Sequence, residues 1–437
     1  MTELLQKVRV IDPVSEIDEQ FDVLIADGYI QTVASHISDI SSDTQIRDCQ
    51  GLVLGPGLVD LYSHAGEPGF EERETLLSFL QAAAAGGFTR ASILPDTSPA
   101  IDNPALVAQL QQKRHGEIRK KEQINSAPPA SPAPPTSPLP LLHIWGAITL
   151  DVAGKQMTEL ADLASAGVVG FTDGKPLENL ALVRGVLEYI QPSGKPVAFW
   201  PSDRHLAANG VMREGSNALR FGLPPIPASA ETTAIAAMLE LVAAIGTPVH
   251  IMRVSTARGV ELIASAKAAG LPITASTTWM HLLLDTKAVK SYHTSLHLDP
   301  PLGNPSDVVA LRAGVRAGVI DAIAIDHTPY SYEEKVQAFA EAPAGAIGLE
   351  LALPLLWQYL VETEEFTALE LWRALSTHPA ECLGQKVSAI LPHQPAELTL
   401  FDPQQTWKVE RKSLYTLSQN TPWLGQQLKG RVVKTWC

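Results

Sequence analysis

The sequence predicts an α/β protein: a closed (β/α)8 barrel carrying a small β-sandwich assembled from both termini. Three observations predict it. From residue 56 to about 389, short apolar strand candidates alternate with Ala- and Leu-rich helical stretches, a rhythm that implies parallel strands joined by helices. Both ends of the chain read instead as strands and turns. A length of 437 residues suits one barrel plus one small extra domain.

Residues 8–54 supply the first β-rich end: VRVID, then FDVLIADGYIQTVA with the Asp27-Gly28 hairpin signal, then GLVLGPGLVD. The tail repeats this style, with AELTLFD before Pro403 and GRVVKTW at the end. Residues 1–55 and 390–437 are therefore assigned to one composite sandwich, and 56–389 to the barrel. Barrel strand candidates include ASILP, VVGFTD, PVAFW, PVHIMRVS, PITAST and DAIAID. One segment breaks the rhythm. Residues 117–140, ending in INSAPPASPAPPTSPLP, are too rich in Pro, Ala and Ser for a core element and read as a flexible surface insertion.

Composition excludes several function classes. The chain is 45% hydrophobic and 18% charged, with no apolar run long enough to span a bilayer. A net charge of −14 disfavours nucleic acid, whose phosphates call for clustered Lys and Arg. Cys49, Cys382 and Cys437 are odd in number and widely spread, which fits reduced thiols rather than a disulfide framework. The N-terminus lacks the layout of a secretory signal, so the expected compartment is the cytoplasm. No phosphate loop, nucleophile elbow or Cys-x-x-Cys pair is present.

Barrel active sites gather where strands end, so His, Asp, Lys and Arg following apolar runs are the candidates. The first such place is GPGLVDLYSHAGEPGFEERETL. With AAAAGGFTRASILPDTSPAIDNP, GFTDGKP, LAANGVMREG, VHIMRVSTARGVELI, DPPLG, IDAIAIDHTPYSYEEK and the SQNTPW of the tail, it resembles the dihydroorotase family of the amidohydrolase superfamily. The resemblance runs from about residue 8 to the C-terminus, the Pro-rich insertion excepted. It implies a TIM barrel of the metal-dependent hydrolase type, two zinc ions and hydrolysis of a cyclic amide.

Departures from that pattern fall on the metal positions. Where the family has Asp-x-His-x-His, this chain has Tyr62 and His64, and a phenol is a poor zinc ligand at neutral pH. The family's Asp is matched by Asp173. Its next two His ligands align with Trp200, which cannot coordinate, and Arg253, a guanidinium that only donates. His250 is expected to face away from Arg253 by strand alternation. The family's last Asp, taken there as the proton-transfer base, is kept as Asp326 with His327 after it, and the final His is Tyr330. His64, Asp173 and Asp326 are thus the residual metal set, and Asp326 is the one candidate for catalysis if the chain is active. Gly66 and Asp96 replace an Arg and an Asn that hold the substrate carboxylate, and Asp299 and Gly303 alter a further recognition stretch. A cation is lost and an anion gained, which repels the family substrate.

These residues leave readings from different classes open. The favoured one is a protein of pyrimidine biosynthesis that has lost catalysis, with Arg253 pairing to buried carboxylates where zinc would sit. Resemblance to inactive homologues implies a scaffold or regulatory role with aspartate transcarbamoylase, and homo-oligomers are expected. The alternative is a cyclic amidohydrolase with one zinc on His64, Asp173 and Asp326. A third is a small-ligand sensor whose pocket includes Tyr62, Asp96, Trp200, Arg253, Trp279, Asp299, His327 and Tyr330. No cofactor is expected unless zinc occupies the residual site.

Overall fold

Alternation of apolar and polar residues places β1 (Thr2–Asp12), β2 (Ile17–Ala26) and β3 (Tyr29–Ala34) in one antiparallel run, joined by β4 (Gln45–Asp48) and β5 (Val53–Pro56). In this computed structural model, which describes residues 2–125 and 139–437, β1 is bent by a bulge at Lys7, where φ is +56°. Its first half pairs with β4 and its second with β5.

The barrel strands follow: β6 (Leu58–Val59), β7 (Phe88–Ile93), β8 (Leu141–Gly146), β9 (Gly170–Phe171) and β10 (Val197–Phe199). A short parallel ribbon, β11 (Met212–Arg213) with β12 (Pro225–Ile226), interrupts them. Then come β13 (Val249–Ile251), β14 (Ile273–Thr278) and β15 (Ala322–Ala324). The eight barrel strands are parallel, in the order β6-β7-β8-β9-β10-β13-β14-β15. Beyond their named ends the first and last strands meet: Asp326 N donates to Tyr62 O (3.2 Å) and His64 N to His327 O (2.7 Å). Closure therefore happens at the mouth.

The terminal sheet is completed by β16 (Leu398–Lys408) and β17 (Gln427–Trp436), with β16 antiparallel to β5. Both ends of the chain thus share one seven-stranded sheet, whose core includes Val8, Val23, Ile30, Leu54 and Leu398. Inside the barrel, Leu61, Leu94, Trp145, Ala198 and Met252 pack together, and the Trp145 indole donates to Leu61 O.

The insertion expected at 117–140 begins later than the sequence suggested. The helix Pro104–Asn125 runs through 117–125, because the Glu, Lys, Arg and Gln of that stretch are good helix formers and the prolines start only at Pro128. Residues 126–138 of the expected insertion lie outside the described residues.

The sheet is keyed to the barrel at Gly55. A Cβ there would overlap the buried Trp372 indole nitrogen, which donates to Pro56 O (2.9 Å). Gly55→Ala is expected to destabilise the protein by about 1–3 kcal/mol through overpacking, read as a lower denaturant midpoint.

Candidate functional site: an internal cation at the barrel mouth

Arg253 lies just beyond β13 and Asp326 just beyond β15, and both residues adopt left-handed backbone, with φ +55° and +53°. Such conformations are costly for residues with a Cβ and persist where the surroundings enforce them. Here they aim two side chains at each other. Arg253 Nε donates to Asp326 Oδ2 (2.8 Å) and Nη2 to Oδ1 (2.6 Å), a bidentate fork on one carboxylate. Nη1 donates to Gly174 O (3.0 Å), and Nη2 also meets His64 Nε2 (3.1 Å). The guanidinium lies 4.4 Å from the Trp200 ring centroid and 5.6 Å from that of Tyr62.

Tautomer and charge follow from these contacts. A guanidinium only donates, so His64 Nε2 accepts and the ring proton sits on Nδ1, which donates to Asp96 (2.8 and 3.0 Å to its two oxygens). Burial works against the Arg253 charge, but Asp326 outweighs it and holds the guanidinium above its ordinary value. Burial alone would raise the Asp96 carboxyl; His64, with Lys175 and Arg253 beyond it, brings it below the usual range.

The three residual metal candidates do not converge. His64 and Asp326 approach to 3.7 Å, with an Arg253 nitrogen bonded to both. Asp173 is buried elsewhere: Thr149 donates to it through both its amide (2.9 Å) and its hydroxyl, and burial raises its pKa. Among the described residues no group of three or more His, Cys, Asp or Glu side chains is placed to hold a metal ion. The donor set therefore does not fit two zinc ions, nor one on these three residues.

The cavity above the cation has a volume of about 340 Å³, and Asp96, Trp200, Arg253, Trp279, Asp299 and Tyr330 line it as expected. Tyr62 and His327 do not. Tyr62 is fully buried beneath the floor, its hydroxyl 2.9 Å from Ser276 Oγ. His327 faces outward from the barrel, its Nδ1 accepting from Gly348 N (3.1 Å) and its Nε2 near Glu74. Strand ends carry alternate residues to opposite sides, and His327 is on the far side from Asp326.

Sequence reasoning missed the other cations. Lys175, Arg204 and Arg73 all line the cavity, on elements other than the one that carries Gly66. Arg204 pairs with Asp299 (2.7 Å) and lies over Trp200; Arg73 lies over Tyr330 and pairs with Glu334. Lys175 lies in the loop after β9, two residues past Asp173, and was discoverable by the strand-end rule. Arg204 and Arg73 belong to loops and short helices, and no spacing announces them. His281 also lines the cavity, but both ring nitrogens are engaged, by Thr278 Oγ1 and Pro301 O. The retained SQNTPW motif is architectural. The Asn420 side chain accepts from Tyr330 N and donates to Thr328 O and Gly345 O, while Trp423 packs on Trp279.

With this geometry in hand, likeness to known proteins is informative. The Amidohydrolase family profile matches residues 224–437. Over 99% of both chains the sequence is 45% identical to a probable dihydroorotase-like protein of Synechocystis sp.. The chain belongs to the dihydroorotase-like amidohydrolases. It is also 37% identical to a dihydroorotase of Pelotomaculum thermopropionicum, covering 98% of this chain and 95% of that protein. The L-hydantoinase of Arthrobacter aurescens shares the fold, with a TM-score of 0.80 at 20% identity over 99% of this chain and 94% of that one.

Two outcomes are expected. Arg253→Leu strands the Asp326 carboxylate and lowers stability by about 3–5 kcal/mol in chemical denaturation. Burial depresses the pKa of His281 to about 4 and of His250 to about 3, below the unfolded value of about 6.5. The stability these neutral rings contribute is complete above the unfolded pKa and is lost as the pH falls toward the folded ones. Their ring resonances in NMR should show no titration between pH 8 and 5.

Proposed function

We propose that this chain is a dihydroorotase-like protein that does not hydrolyse a cyclic amide and serves pyrimidine biosynthesis as a scaffold or regulatory partner of aspartate transcarbamoylase. One observation carries the reading: the Arg253 guanidinium grips both oxygens of Asp326 and the free nitrogen of His64. Asp326, the residue aligned with the family's proton-transfer base, has its oxygens committed to a cation that does not give up its proton. A Zn²⁺ about 4 Å from that guanidinium would be repelled by about 8 kcal/mol at an effective dielectric constant of about 20. That offsets much of the roughly 10–16 kcal/mol with which structural zinc binds small domains.

Support for a binding role is the completeness of the shell, since the alignment with the dihydroorotase-like relative spans 99% of both chains. Resemblance to inactive dihydroorotase homologues supplies the partner. The proposal includes a cytoplasmic location and assembly into oligomers; no helix among the described residues is long and apolar enough to cross a membrane. The 340 Å³ cavity favours one further reading, a small-ligand sensor at the same mouth.

Purified protein supplied with zinc and dihydroorotate is expected to show no turnover and no stoichiometric metal, and to co-elute with aspartate transcarbamoylase on sizing. Turnover abolished by chelation would overturn the reading; separate elution of the two folded proteins would remove the scaffold role. Under the sensor reading, a thermal-shift screen returns a small molecule that raises the midpoint, since a ligand of the native form stabilises it.

A further inference from the structure

We infer that Tyr62 is the positioning residue for the internal cation, held in that role by a directed hydrogen-bond chain from Arg253 through Ser276 to His250. The inference rests on the reading of Arg253 as a built-in cation and names what keeps it there.

The left-handed turn at Arg253 takes its amide out of the sheet. On either side the chain bonds to neighbouring strands, Met252 N to Phe199 O and Val254 N to Ser276 O. Arg253 N instead donates inward to the Tyr62 hydroxyl oxygen (3.1 Å). An amide has no other role than donor, so the phenol accepts here and its own proton turns to Ser276 Oγ (2.9 Å). Ser276 in turn meets His250 Nε2 (2.8 Å), and His250 Nδ1 meets Thr274 Oγ1 (2.9 Å). Tyr62 and Ser276 are fully buried and His250 is 3% exposed, so a hydroxyl proton without an acceptor would be costly.

One proton arrangement satisfies every group: Arg253 N–H to Tyr62, Tyr62 O–H to Ser276, Ser276 O–H to His250 Nε2, and His250 Nδ1–H to Thr274. His250 is then neutral with its proton on Nδ1. It stands one layer below Arg253, inside the barrel, and is tied to it through this chain. The tyrosine at the position of a family zinc ligand thus acts on the backbone, because its oxygen fixes the turn that throws Arg253 toward Asp326. Positions 62 and 253 form one unit, and replacing Tyr62 alone removes the anchor.

The test is NMR of protein labelled with ¹⁵N-histidine, with far-UV circular dichroism as the control for folding. The wild-type protein is expected to show His250 unprotonated at Nε2 and protonated at Nδ1. Tyr62→Phe is expected to move the Nε2 resonances of both His250 and His64, because the chain breaks below and Arg253 loosens above. Ser276→Ala keeps the amide bond, so it moves His250 and leaves His64 in place. A His250 protonated at Nε2 in the wild-type protein overturns the inference, as does a folded Tyr62→Phe with His64 unmoved. If Tyr62→Phe does not fold, the wild-type tautomer and Ser276→Ala decide. Zinc-dependent turnover would sink the proposed function without touching the tautomer; an Nε2-protonated His250 would do the reverse.

Discussion

The arrangement of the mouth depends on how one guanidinium is engaged. Four of its five N–H groups meet a carboxylate, an imidazole nitrogen and a backbone carbonyl, with an indole face alongside. Taking such a charge out of water is expensive, and the attraction to Asp326 compensates only because the fork geometry is good and two further donors also find acceptors. That requirement sets the His64 tautomer and, through it, the Asp96 contact. It also explains why both strand ends carry left-handed residues: without them the two side chains would not meet.

The fold was legible because it is written redundantly. Apolar runs such as PVHIMRVS and DAIAID mark buried parallel strands, and the β-rich ends mark the shared sheet. The Arg253–Asp326 pair was legible too, since an arginine at a position suited to a metal ligand demands a carboxylate. Asp173 was not. Its motif, GFTDGKP, resembles the family's, yet the neighbouring strand end offers the amide and hydroxyl of Thr149, and a buried carboxylate takes the nearest donors. Nothing in a linear motif reports that competition.

Side chains alternate strictly within the barrel strands and cease to do so where the chain leaves them. The alternation holds along β13, where Val249 and Ile251 face the helices and His250 faces inward, but it stops at Arg253, whose positive φ resets the direction of its side chain. His250, expected to be separate from Arg253, is tied to it through two hydroxyls. Tyr62 and His327, counted as pocket walls, sit below and behind the cavity: Tyr62 is fully buried under Arg253, and His327 lies on the opposite side of the strand end from Asp326. Period-two reasoning is secure within a strand and loses its force at the residue where the strand turns into a site.

The seam between first and last strands has a consequence for how the molecule is made. Ser63 Oγ and the His327 amide that it meets are 264 residues apart, and Arg253 precedes Asp326 by 73. A ribosome delivers the arginine long before its counter-ion, and the ring of backbone that holds the pair is sealed only when the eighth strand arrives. The buried guanidinium therefore stays without its counter-ion until the barrel is nearly complete, and a nascent chain halted before residue 326 carries that charge without the carboxylate that offsets it.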